Sequence, residues 1–170
     1  GLLEEGAGAL DAQGFAQAVQ GLAAEFSFAS YRDTIAISAK MLSENRDDAA
    51  ALLHDALTNP RFDTDAIERV RAQIQSILAS QTQDPDTIAA QTFNALAFGD
   101  HPYASPEEGT TDTIAALTRE DILTAYRNAF ATSRVSIGAS GDITADELGV
   151  LIDQLLEGLP ETGPALPDMA

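Results

Sequence analysis

The 170 residues carry 27 acidic against nine basic side chains, a formal net charge of −18, and Lys40 is the sole lysine. That balance disfavours a basic patch for nucleic acid or anionic lipid, and leaves an acidic solvated surface or a cationic substrate or partner. The length allows one domain with a real core, and an apolar content of 45% argues against overall disorder; no apolar run reaches the roughly 18 residues of a membrane span, and there is no cysteine for disulfides or thiolate metal sites.

In chain order, the opening GLLEEGAGALD does not read as a signal peptide, which leaves the compartment open. GAGAL at residues 6–10 is glycine-rich but follows no strand, so it reads as a connector. Residues 9–23 place Leu10, Phe15, Val19 and Leu22 at helical spacing, with Asp11 as N-cap. Phe26 and Phe28, then Ile35 and Ile37, alternate with small residues around a turn-like SYRD, the pattern of an antiparallel hairpin.

Four helices are expected next. Ser43 with Arg46 and Asp47 opens the first, and Pro60 closes it. Asp63 or Thr64 opens the second, which runs to about Gln81, with Val70, Ile74, Ile77 and Leu78 as its apolar stripe facing a core. Asp84-Pro85 starts the third, with proline in the first turn. GDHPYASPEEGTTD reads as a loop. Thr118 with Asp121 forms a capping box before the fourth. Val135 and Ile137 then read as a short strand, and Thr144 with Glu147 caps a last helix that ends near Gly158. ETGPALPDMA reads as a linker. The order predicts an α+β domain, helices packed on an antiparallel sheet. Three strands make a thin sheet, so strands are expected to be missing on the N-terminal side.

The residues themselves assemble no active site. His54 and His101 are the only histidines, and no pair lies one helical turn apart as HExxH or HxxEH requires. His54 reads as an ordinary surface or half-buried helix residue, and His101 as a loop residue bonded to backbone. No GxSxG, P-loop or GxGxxG is present. Glu4-Glu5, Asp47-Asp48 and Glu107-Glu108 are sequence neighbours, which a helix would splay about 100° apart.

Three stretches nonetheless resemble the N-terminal half of the insulinase/pitrilysin/mitochondrial processing peptidase family of zinc peptidases. They are AALLHDALTNPRFDTDAIERVRAQI, FGDHPYASPEEGTTDTIAALTREDILTAYRNAF and RVSIGASGDITADELGVLIDQLLEGLP. The resemblance covers roughly residues 5 to 160. It implies one half of a clamshell of two similar α+β halves. Residues 1–160 would be most of the N-terminal half and 161–170 the start of the interdomain linker, with the first strands and the zinc helix before Gly1.

Active relatives hold zinc with an HxxEH helix and a later glutamate. Carrying the family's spacing over from the Glu68-Arg69 pair puts that zinc-ligand glutamate at Ile77 and a supporting glutamate at Val70; the second histidine falls at or just before Gly1. The resemblance therefore implies a non-catalytic member with no catalytic or metal residue and no cofactor in this chain. It would bind peptide and pair with a homologous catalytic subunit or second half-domain. The alternatives are an active zinc metalloendopeptidase, with HxxEH upstream and Glu68 as candidate ligand, and a purely structural subunit of a larger complex. Neither nucleic acid nor membrane insertion is expected. The Ala- and Asp-rich, Lys-poor composition points to a bacterial protein of periplasm or cytoplasm.

Overall fold

The computed structural model describes residues 1–165. The last five positions of the expected linker lie outside them. A 3-10 turn, Leu2–Glu4, leads into β1 (Gly6–Ala7) and β2 (Leu10–Asp11), followed by α1 (Ala12–Gly21). β3 (Glu25–Ser30) and β4 (Ile35–Lys40) come next, then α2 (Arg46–Thr58), α3 (Thr64–Gln81) and α4 (Pro85–Phe98). A 3-10 turn, Pro102–Ala104, precedes α5 (Thr111–Ala116), α6 (Arg119–Ala129) and α7 (Ala145–Leu156). Helices with small antiparallel sheets make this an α+β fold, as the sequence predicts.

The GAGAL stretch is more than a connector. Its two-residue strands pair Gly6 with Asp11 and Ala7 with Leu10, and Ala7 bridges to Pro60. Gly6 has φ 118°, and a Cβ there would fall 2.9 Å from the Leu10 carbonyl oxygen, so only glycine fits. The strands take up residues 10–11, and α1 starts at Ala12 with Asp11 as the expected N-cap, its side chain accepting from the Gly14 amide at 2.8 Å.

β3 and β4 pair in register from Glu25–Lys40 to Ser30–Ile35, around the expected turn. The expected third strand is absent. Val135 and Ile137 lie in extended but unpaired chain, 39% and 44% exposed. Their alternation fits a pleat, but no described strand runs beside them to accept a ladder. The result is two separate two-stranded sheets in place of one thin three-stranded sheet.

Ala7, Phe15, Leu52 and Ala56 form the central cluster, flanked by Leu10, Val19, Leu22, Phe26 and Phe28. α2 is the pivot, burying Ala49, Ala50, Leu52, Leu53, Ala56 and Leu57 against α1 on one side and α7 on the other. Three capping boxes fix helix starts. Those at Thr118–Asp121 and Thr144–Glu147 are the expected ones; the third, Thr110–Thr113, starts α5 inside the stretch that reads as loop. Beyond α7, Thr132 and Ser133 amides donate to the carbonyls of Pro160 and Glu161, so the first tail residues lie along the end of α6.

Candidate functional site

The long helix α3 carries Glu68, Val70 and Ile77, the positions at which the family spacing places carboxylates or a candidate ligand. Asp63 precedes it in extended conformation without a side-chain cap bond. Two arginines anchor it. Arg69 pairs with Glu5, which ties α3 to the N-terminal segment. Arg71 donates to the Ile114 carbonyl and, at 2.7 Å, to that of Leu117, satisfying acceptors at the C-terminal end of α5. The β1–β2 hairpin sets the approach of that N-terminal segment: the Gly8 amide donates to Asn59 at 2.9 Å, and the Arg61 amide to Gly6 at 3.2 Å.

The expected core stripe of α3 is only partly core. Leu78 is buried, Val70 and Ile74 are half-buried, and Ile77 is 45% exposed. Helical spacing marks an apolar stripe correctly, yet nothing among the described residues covers Ile77. Val70 faces the N-terminal segment; a Cβ on Gly1 would lie 3.9 Å from Val70 Cγ1. Ile77 follows two turns further along nearly the same stripe, about 10 Å away. Glu68 is exposed and sits 3.4 Å from Arg71 in an i,i+3 ion pair.

Val70 and Ile77 have no donor atom, and the Glu68 carboxylate faces a guanidinium. No three His, Cys, Asp or Glu side chains converge as a ligand set among the described residues. Both histidines are engaged elsewhere. His54 Nδ1 lies 3.1 Å from the Leu155 carbonyl oxygen, which a tautomer protonated at Nδ1 satisfies, joining α2 to α7. His101 caps the Pro102–Ala104 turn; its Nδ1 accepts from the Tyr103 amide at 3.2 Å, so the proton of its neutral form sits on Nε2.

A second cluster was not legible from sequence. The β3–β4 turn meets the loop after α4 around a surface cleft of about 510 Å³. Arg32 donates to the carbonyls of Tyr103 (2.9 Å) and Ser105 (3.3 Å), pairs with Glu107 at 3.1 Å, and lies over the Tyr103 ring at 5.3 Å. The Tyr103 phenol donates to Asp33, whose hydrogen bond holds the phenol above its ordinary pKa. Turn residues and loop residues each read as solvated punctuation, and no local pattern pairs them across some 70 positions. Arg32 directs these bonds at the loop after α4, so the cluster is a brace for the loop.

A larger cleft of about 710 Å³ opens between α1 and β3. Phe15, Val19, Phe26 and Phe28 form its floor, with Glu4, Glu5 and Arg69 on its edge beside α3.

A model of the insulinase family, peptidase family M16, matches residues 4–111. A Helicobacter pylori protein named non-peptidase homolog YmxG is 26% identical over 160 residues, 94% of this chain and 37% of that protein. A Mycobacterium leprae protein named an uncharacterized zinc protease is 26% identical over 83% of this chain and 32% of its own length. Among solved structures, a peptidase M16 inactive domain from Pseudomonas fluorescens superposes with a TM-score of 0.91 at 29% identity, covering 99% of this chain and 41% of that one. The chain thus spans about a third of the length of these curated relatives.

Proposed function

The chain belongs to the insulinase family of peptidases, family M16, and within it we propose a non-catalytic member that helps bind a peptide and pairs with an active metallopeptidase half or subunit. The reading rests on the chemistry of α3, taken with the family's spacing as carried over from the Glu68-Arg69 pair. Val70 and Ile77 stand where the family's spacing expects carboxylates, and an aliphatic side chain offers zinc no lone pair. The relatives support it: the Helicobacter pylori protein is named a non-peptidase homologue, and the Pseudomonas fluorescens structure is described as an inactive domain.

The cleft beside α3 supplies what a binding role needs, an apolar floor for peptide side chains with a charged rim where Glu5 is already paired with Arg69. Residues 1–160 are read as most of the N-terminal half, and 161–170 as the start of the linker to the second.

The name of the Mycobacterium leprae relative favours a second reading, an active zinc endopeptidase with Glu68 as ligand. Metal content and peptide cleavage separate the two. The first reading gives no stoichiometric zinc, and cleavage only when a catalytic family member is added; the second gives one zinc per chain and activity lost in Glu68→Gln.

A further inference from the structure

Helix α6 ends at Ala129, and a 3-10 turn, Thr132–Arg134, follows it. The tail beyond α7 returns to this turn. The Thr132 amide donates to the Pro160 carbonyl at 2.9 Å, and the Ser133 amide to that of Glu161 at 3.0 Å. Arg134 extends the contact. Its guanidinium donates to the Pro164 carbonyl and, at 3.4 Å, to the Asn128 carbonyl in the last turn of α6. One side chain thus joins the tail to a helix end, where carbonyls lack intrahelical partners and the dipole favours a cation.

The tail residues suit this arrangement. Pro160 and Pro164 have fixed φ, so ordering the segment between them costs less chain entropy than ordering a flexible run. A Cβ on Gly163 would fall 3.1 Å from Arg134 Nη1 and 3.4 Å from the Asn128 carbonyl oxygen, so the tail backbone passes close under the guanidinium. Gly158, at φ 82° just past α7, is where the chain would otherwise turn most freely. Bonds at 160, 161 and 164 lie beyond that glycine and hold the chain on its far side.

We propose that Arg134 locks residues 160–164 as a strap across the end of α6, so that whatever follows pivots no earlier than Pro164. This rests on the reading of residues 161–170 as the start of the linker. The strap then sets the direction in which the second half leaves, and Gly158 is not the hinge between the halves. Arg134 acts here as a positioning residue.

The test uses the natural polypeptide containing these residues, with hydrogen exchange resolved to single amides by mass spectrometry. The Thr132 and Ser133 amides exchange slowly, and Arg134→Ala speeds both by roughly three- to tenfold, the worth of one hydrogen bond. Gly163→Val does the same from the tail side by displacing the guanidinium. Glu161→Gln keeps the carbonyl that Ser133 uses and leaves both rates unchanged. So does Arg127→Ala, which removes from α6 a guanidinium paired with Glu120. Unchanged exchange in α2 shows that each variant is folded. These 170 residues have no cysteine. Spin labels at Thr124→Cys and Ala165→Cys, with any cysteine elsewhere replaced by serine, then give one narrow distance distribution that broadens in Arg134→Ala.

Thr132 and Ser133 rates that ignore both Arg134→Ala and Gly163→Val overturn the proposal. So does a label distance as broad before the substitution as after it. Neither readout involves zinc or cleavage, and the length of the natural polypeptide decides separately whether a second half follows.

Discussion

Arg32 lies over the ring of Tyr103, 5.3 Å from its centroid, while donating to the same residue's carbonyl at 2.9 Å. One turn of the β3–β4 hairpin thereby fixes the loop after α4, with Asp33 accepting from the Tyr103 phenol. Hydrogen bonding to Asp33, the largest cause, raises the Tyr103 pKa above its ordinary value. Tyr103 should therefore ionise at higher pH than a free tyrosine, and Asp33→Asn should lower its midpoint. Ring-resolved NMR titration reads both. An unchanged midpoint in Asp33→Asn would mean that the bond does not form in solution.

Arg32→Ala should release the loop without unfolding the protein. Amide exchange should accelerate in residues 99–110 and 31–34, while α2 keeps its protection. Equal acceleration in α2 would show that Arg32 supports the whole fold.

Phe62 is a non-glycine residue at φ 48°, a conformation that costs on the order of 1–3 kcal/mol unless the surroundings hold it. They do: its ring is buried and meets Tyr126 edge-on at 5.6 Å, and Arg119 donates to its carbonyl at 2.9 Å. Tyr126 in turn donates to the Leu57 carbonyl at 2.5 Å. Tyr126→Phe should cost about 1 kcal/mol, for a lost bond and an orphaned acceptor. Phe62→Ala should cost about 3 kcal/mol or more. Urea unfolding of the two variants checks the order.

Three carboxylates at helix starts contribute to stability in a pH-dependent way. Side-chain and backbone hydrogen bonds from Thr87, Thr118 and Thr144 hold the carboxyls of Asp84, Asp121 and Glu147 below the ordinary carboxylate range. Groups bound more firmly when ionised stabilise the fold above their unfolded pKa values, and lose that contribution as pH falls through the lower, folded ones. This contribution to stability should therefore be lost below about pH 4. Asp121→Asn with Glu147→Gln should flatten that loss while lowering stability at neutral pH. Melting temperature against pH, for the chain and the double variant, tests this.

Much of this fold was legible because its signals are local. A threonine with an acid three residues on satisfies donors within one turn, so the starts of α6 and α7 could be read directly. The start of α5 was hidden because Thr113 replaces the acid and the run around it is polar. Val135 and Ile137 have the alternation of a strand, but a strand needs a neighbour, and alternation carries no information about one. The same limit applies to Ile77. Periodicity shows that a helix has an apolar stripe without showing what covers it. In the candidate site, the family resemblance singled out Val70 and Ile77. That Gly1 approaches Val70, and that Arg32 reaches Tyr103, are long-range contacts visible only in the folded chain.

Ile77 is exposed, so its replacement should be tolerated. Ile77→Glu should change unfolding free energy by no more than about 0.5 kcal/mol. It should also fail to confer zinc binding, because one carboxylate supplies one of the three protein ligands that a zinc centre usually takes. Thermal melts with and without added zinc read both. A zinc-dependent rise in melting temperature would show that further ligands lie within reach of α3.

The central claim is that this M16-family chain has no zinc chemistry of its own and acts with a partner. Its most direct test is elemental analysis of the natural polypeptide containing these residues, with a peptide-cleavage assay alone and beside a catalytic family member. The account predicts no stoichiometric zinc, no cleavage alone and cleavage by the pair. One zinc per chain, with chelator-sensitive cleavage in the absence of any partner, would contradict it.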